Sequence, residues 1–190
     1  MFQSHRKEKD QMNVILLNGP SSAGKSTISH KLQERLLSVG EESVIISIDD
    51  HMITDPKETI YEDDIFEIMP GMCHDIKENV INGKTVIVDH AITSERIYQM
   101  FLDEVNEAMD VRVKNGLPDG KIITVKVVCD IEILRQREEA RGDRCPGSAE
   151  ASLKYLWPKD GYDLCIDNGT TPVSENVEKI IRALLCKERS

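Results

Sequence analysis

The chain has 190 residues, 39% of them hydrophobic, and a formal net charge of −10, enough length for one domain with its own core. An acidic total argues against gripping a nucleic-acid backbone through a basic face, though not against holding one nucleotide. No apolar run is long enough to span a bilayer, so neither nucleic acid nor membrane is an expected partner. The five cysteines stand at 73, 129, 145, 165 and 186, an odd number with no C-x-x-C. They read as buried reduced thiols of a cytoplasmic protein. Residues 1–11 open with a polar, charged run that does not fit a signal peptide. They are expected to form a loose tail before a single domain over 12–190.

In chain order, Met12 to Leu17 is a short apolar run that predicts a buried strand. Gly19-Pro20-Ser21-Ser22-Ala23-Gly24-Lys25-Ser26-Thr27 follows and fits G-x-x-x-x-G-K-[ST]. Ile28, Leu32, Leu36 and Val39 then fall at helical spacing, predicting a helix from Ser26 to Ser38 that Gly40 stops. Strand, loop and helix in that order make a phosphate cradle. The glycines let backbone N–H groups turn inward, and the helix N-terminus adds partial positive charge. Lys25 can reach the β- and γ-phosphates, and the Ser26 hydroxyl can ligate Mg²⁺.

Ser43 to Ile48 predicts the second strand, ending at Asp49-Asp50-His51. Ligands sit at the carboxyl ends of strands in open α/β sheets. Asp49 there reads as a general base for a substrate hydroxyl. Asp49 or Asp50 also fits a Mg²⁺ partner acting through water, or a helix cap. His51 reads as a solvated residue or a substrate contact. Residues 52–67 are acidic and poorly periodic, a loop with at most one short helix. Pro70-Gly71 punctuates, and Met72, Ile76 and Val80 predict a helix from Met72 to Asn82. The whole stretch 52–82 reads as an acceptor-binding insertion or a solvated acidic surface.

Thr85 to Val88 predicts the third strand, closed by Asp89-His90. Asp89 can hold a metal-bound water or orient Ser26, as acidic residues behind phosphate loops do. Ser94 is the expected cap of a helix carrying Ile97, Phe101, Leu102 and Val105 on one face. Asn115 to Gly120 is a turn, Ile122 to Val128 the fourth strand, and Ile131 to Ala140 the next helix.

The most basic patch follows, with Arg135, Arg137, Arg141 and Arg144. Arg137, Arg141 and Arg144 are spaced to share one helical face. They suit charge stabilisation of a moving phosphoryl group from a lid over 137–159, or ion pairing with Glu138, Glu139 and Asp143. Pro146-Gly147-Ser148 breaks the helix, and a short helix from Ala149 to Leu156 follows. Tyr162 to Asp167 predicts the fifth strand and Asn168 to Pro172 a turn. Ser174 is the expected cap of a last helix burying Val177, Ile180, Ile181, Leu184 and Leu185. Strands alternating with helices predict an α/β fold, a five-stranded parallel sheet covered on both faces.

Several segments together resemble the chloramphenicol phosphotransferase-like family of phosphate-loop kinases. They are Leu17 to Ser26, Ile48-Asp49, Val86 to His90, Cys129-Asp130, Ala140-Arg141-Gly142-Asp143-Arg144 and Gly161 to Asp167. The resemblance implies a three-layer P-loop NTPase of the nucleotide and shikimate kinase type, with strand order 2-3-1-4-5. It implies ATP with Mg²⁺ as phosphoryl donor and a small-molecule hydroxyl as acceptor, chloramphenicol being the family's named one. The family's base falls on Asp49 and its lid arginines on Arg137, Arg141 and Arg144. A nucleoside or nucleotide kinase is the enzymatic alternative, and a non-catalytic ATP-binding switch or toxin-like protein the other. The absence of an Asn-Lys-x-Asp guanine signature speaks against a GTPase. A homo-oligomer is compatible with all of these.

Overall fold

β1 (Asn13–Asn18) is buried at every position, as an apolar run without alternation must be in the middle of a parallel sheet. A computed structural model of the chain describes residues 13–185, so Met12, the expected tail and Cys186 lie outside the described residues. β1 pairs in parallel with β3 (Thr85–His90) on one side and β4 (Lys121–Val128) on the other. β2 (Ser43–Ser47) and β5 (Leu164–Asp167) form the edges, giving the order β2-β3-β1-β4-β5 that the family resemblance implies. Register decides what meets at the carboxyl edge. Leu17 and Ser47 both stand opposite Asp89, and Asn18 stands opposite His90. The phosphate loop, Asp49 and Asp89 therefore leave the sheet along one line.

Alternate residues of β1 serve two cores. Val14 and Leu16 pack with Met72, Ile76, Phe101 and Val105 from α2 (Glu62–Ile81) and α3 (Glu95–Lys114). Ile15 and Leu17 pack with Ile28, Leu32, Val177 and Ile180 from α1 (Lys25–Ser38) and α6 (Val173–Leu185). The remaining helices, α4 (Ile131–Arg141) and α5 (Ser148–Tyr155), follow β4. No described helix is long and apolar enough to cross a membrane.

The structure corrects four local expectations. The acidic stretch is not a loop as far as Glu67, because α2 begins at Glu62 and runs through Pro70 without a break. Acidic residues suit a first turn, where the helix dipole is positive, and the Asp64 carboxylate accepts from the Tyr61 N–H at 2.7 Å. Pro70 removes one helical hydrogen bond, but Met69, Met72, Cys73, Ile76 and Val80 are buried around it and hold the helix on the sheet. Ser174 lies inside the first turn of α6, whose opening N–H groups donate to the Pro172 carbonyl. Leu185 is 76% exposed rather than buried. Cys73 and Cys129 are buried free thiols, but Cys165 is exposed and Cys145 half-buried.

Arg112 in the last turn of α3 is buried at 3% exposure. Its guanidinium donates to the Val80, Ile81 and Pro118 carbonyls at 3.0, 3.3 and 3.4 Å. It closes the C-terminal end of α2, where the last carbonyls lack helical i+4 partners and Val80 O otherwise takes only cap N–H groups such as that of Gly83 at 3.0 Å. Arg112→Met should therefore destabilise the fold by about 2–3 kcal/mol. The check is a urea midpoint that falls while the slope stays constant. A shift within a few tenths of a kcal/mol would remove Arg112 from this role.

Candidate active site

The loop between β1 and α1 is shaped by two close approaches. A Cβ on Gly19 would sit 2.5 Å from the Val127 carbonyl oxygen of β4. Gly24 has φ of +84° and a Cβ there would sit 2.4 Å from Asn168 Nδ2. Distant side chains hold the loop's carbonyls. Asn168 Nδ2 donates to Ala23 O at 2.8 Å, and Arg137 Nη2 donates to Asn168 O at 2.9 Å. Arg137 Nη1 lies 3.5 Å from both Ser22 O and Ala23 O. The Ser21 N–H donates to Ser152 Oγ of α5 at 2.8 Å. α1 starts at Lys25 with no side-chain cap, so its first N–H groups remain available to an anion.

Lys25 is 8% exposed. Its Nζ donates to Pro20 O at 3.1 Å and lies 3.9 Å from Asp89 Oδ1. Burial lowers its pKa, while Asp89 and then Asp49 oppose that shift. Asp89 is buried in turn, and its Oδ2 accepts from the Ser26 hydroxyl at 2.7 Å. Ser26 and Thr27 are exposed to the cleft.

Asp49 lies across this cleft in a 3₁₀ turn, Ile48–Asp50, and its N–H donates to Ser47 Oγ at 3.3 Å. Its carboxylate is gripped by both terminal nitrogens of Arg144, Nη1 to Oδ1 at 3.2 Å and Nη2 to Oδ2 more closely. His51 turns away from the cleft: its ring bridges Ser47 O and Asp75 Oδ2, each at 3.0 Å. That contact leaves it a structural residue rather than a substrate contact.

The predicted shared face of arginines does not form. α4 ends at Arg141, and Gly142 with φ of +63° turns the chain. Arg137 faces the phosphate loop, Arg141 is exposed and pairs with Asp143 at 3.1 and 3.2 Å, and Arg144 reaches Asp49 from beyond the turn. Arg135 pairs outward with Glu132 and Glu150. Glu138 is no partner of the arginines. It accepts from the Gly147 and Ala149 N–H groups at 2.9 and 2.7 Å and so closes the start of α5. The Cys145 N–H donates to Pro56 O at 2.9 Å, so the segment after α4 meets the 52–61 loop above the cleft. The cleft has a volume of about 1420 Å³ and runs from the Asn168–Val173 loop, past the phosphate loop, to Ile48, Met52, Ile60 and Ile65.

Three residues at this site have no functional reading in the sequence. Asn168 lies in what reads as a plain turn, yet it sits at the carboxyl end of β5, the edge where ligands gather. Asn18 is fully buried. Its Nδ2 donates to Trp157 O at 2.7 Å and to the Tyr162 hydroxyl at 2.8 Å, and its Oδ1 accepts from the Ile92 N–H at 2.9 Å. His90 lines the cleft at 1% exposure, and neither ring nitrogen has a well-formed hydrogen bond, Ala91 offering only a weak backbone contact. Burial first, and Lys25 second, pull its pKa down to about 3.

The chain matches the family profile described as chloramphenicol phosphotransferase-like protein over residues 12–185. It is 22% identical over 182 residues to an adenylyl-sulfate kinase of Bacillus velezensis, covering 93% of this chain and 86% of that one. Its fold is similar to the APS kinase of Mycobacterium tuberculosis in complex with AMPPNP and APS, with TM-score 0.66 and 16% identity over 93% and 99% of the two chains. It is also similar to a gluconokinase from Sinorhizobium meliloti, with TM-score 0.61 and 16% identity over 93% of each chain.

The His90 environment has a measurable consequence. An imidazole in the unfolded chain takes a proton near pH 6.5, whereas folded His90 stays neutral down to about pH 3. Within that window unfolding takes up a proton, so stability present above pH 6.5 is lost as the pH falls. Between pH 7 and pH 5 the wild type should lose about 2 kcal/mol more than His90→Gln. Urea titrations of both proteins at the two pH values check this, and parallel losses would contradict it. Gly19→Ala should also lower affinity for a nucleotide by about tenfold or more, since the Val127 backbone cannot move aside, and calorimetry with AMPPNP reads that directly.

Proposed function

As a member of the chloramphenicol phosphotransferase-like family the chain is a phosphate-loop kinase, and we propose that it moves the γ-phosphoryl group of ATP to a hydroxyl of a small molecule. The observation that carries this reading is the placement of Asp49 opposite Lys25 and Ser26 across one cleft. A nucleotide switch needs the loop alone. A carboxylate facing the phosphates is what a transfer to an alcohol adds, because the attacking hydroxyl must lose a proton.

The N–H groups of Gly24, Lys25 and Ser26 at the loop's end hold the β- and γ-phosphates, and Lys25 offsets their charge. Asn168 and Arg137 keep the loop in its receiving shape. The cleft beside Arg137 and the Asn168–Val173 loop takes the nucleoside end. The Ser26 hydroxyl and Asp89 carboxylate, 2.7 Å apart, are hard oxygen donors that suit Mg²⁺, Ser26 directly and Asp89 through water. The ion, when bound, neutralises charge on the phosphate oxygens. Asp49 accepts the acceptor's proton as its oxygen attacks in line.

Arg144 holds Asp49 in the present arrangement, and Arg141 is held by Asp143. We read the segment 137–159 as a lid. A triphosphate carries more negative charge than either carboxylate, so closure draws both guanidinium groups onto the phosphates and frees Asp49. Residues 52–82 supply the far wall for the acceptor, chloramphenicol or a similar alcohol, in a cytoplasmic setting.

Mass spectrometry of an alcohol panel with ATP, chloramphenicol included, tests the reaction: one compound gains a phosphate. Asp49→Asn should then lower kcat by roughly 10²- to 10⁴-fold with AMPPNP binding intact. Near-normal turnover would leave Asp49 as no more than the ion-pair partner of Arg144. Hydrogen exchange over 145–159 should slow when AMPPNP and Mg²⁺ are added, and equal protection in both states would rule out a closing lid.

A further inference from the structure

We propose that His90 is a specificity-determining residue of the acceptor half of the cleft, where its imidazole hydrogen-bonds an alcohol that carries no negative charge. The proposal deepens the kinase reading and rests on it. His90 closes β3 directly after Asp89 and opposite Asn18. It is 1% exposed, yet it lines the cleft, and both ring nitrogens lack a well-formed partner among the described residues. Buried polar groups are almost always paired. A neutral imidazole offers one donor and one acceptor, which a hydroxyl satisfies on either side.

The charges around it narrow the acceptor. Ile48, Met52, Ile60 and Ile65 line this half, and its charged groups, Asp49 and Glu62, are both acidic. No lysine or arginine of these elements lines the cleft. The four cations that reach the cleft are engaged elsewhere. Lys25 lies between Pro20 O and Asp89, Arg137 holds loop carbonyls, Arg141 pairs with Asp143, and Arg144 pairs with Asp49. An anionic acceptor would place a second negative charge beside Asp49 with no cation left to meet it once the arginines move to the triphosphate. Gluconate and adenylyl sulfate, which the names of two similar proteins specify, are anions. This cleft instead suits an uncharged alcohol with an apolar body that stacks on the isoleucines and gives its polar group to His90.

The test uses the full chain loaded with AMPPNP and Mg²⁺, titrated calorimetrically with chloramphenicol and uncharged aryl and alkyl diols, and with gluconate and adenylyl sulfate. An uncharged probe should bind tightest and gain phosphate when ATP replaces AMPPNP. His90→Phe should raise the Kd of that probe roughly 10- to 100-fold with AMPPNP affinity unchanged, and His90→Gln, which keeps a donor and an acceptor, should recover most of the loss. Tightest binding by gluconate or adenylyl sulfate overturns the proposal, as does failure of every uncharged probe. An unchanged Kd in His90→Phe overturns it too, and so does parallel loss of probe and AMPPNP binding, which would mark a purely structural histidine. Failure of the wild type to bind AMPPNP would overturn the kinase reading itself, and this proposal with it.

Discussion

The phosphate loop keeps its shape because side chains from the other end of the chain occupy its carbonyls. Asn168 takes Ala23 O, and Arg137 ties Asn168 to Ser22 and Ala23. The Ser21 and Ala23 N–H groups go to Ser152 Oγ and Pro20 O, and the first N–H groups of α1 are left uncapped for an anion. This arrangement needs β5 and α4 to be in place, so the anion site is a product of the finished sheet rather than of a local turn. It also explains the two glycines with no room for a Cβ: one lies on β4 and the other on Asn168.

Burial sets the electrostatics of the catalytic end. Lys25 and Asp89 are both nearly inaccessible and 3.9 Å apart. A buried charge is expensive alone and much less so beside its opposite. Asp89 also takes the Ser26 hydroxyl, so one carboxylate orients both the cation and the hydroxyl of the motif. Asp49 sits closer to solvent, with Arg144 as its partner. One acidic residue is thus buried between two groups of the motif, and the other is paired with an arginine from beyond α4.

Much of the architecture was legible in the sequence because it is written in local periodicity. Val14 to Leu17, Ile28 to Leu36 and Ile97 to Val105 mark strand and helix through their spacing alone. The strand order was legible only through the family resemblance, since no local pattern says which strands are neighbours. The first half of α2 was hidden because Glu62 to Glu67 and Pro70 read as loop formers, and only the surface buried beneath them overrides that. The end of the helix near Ala140 was legible, but which way Arg144 points beyond it depends on Asp49, 95 positions earlier. Asn18, His90 and Asn168 were silent for the same reason. Their partners, or the cleft they line, come from distant segments.

Asparagine followed by glycine is the dipeptide in which the side chain most readily cyclises and loses its amide nitrogen, and the chain has four such pairs, at 18, 82, 115 and 168. They divide evenly by location. Asn82 and Asn115 end α2 and α3 in the open, while Asn18 and Asn168 are buried with their amides engaged. Cyclisation at either buried site requires the surrounding hydrogen bonds to open first. Chemical ageing of the folded protein therefore begins at two surface helix C-termini, where an added carboxylate meets the negative end of the helix dipole. It reaches the nucleotide cradle only in molecules that have already come apart.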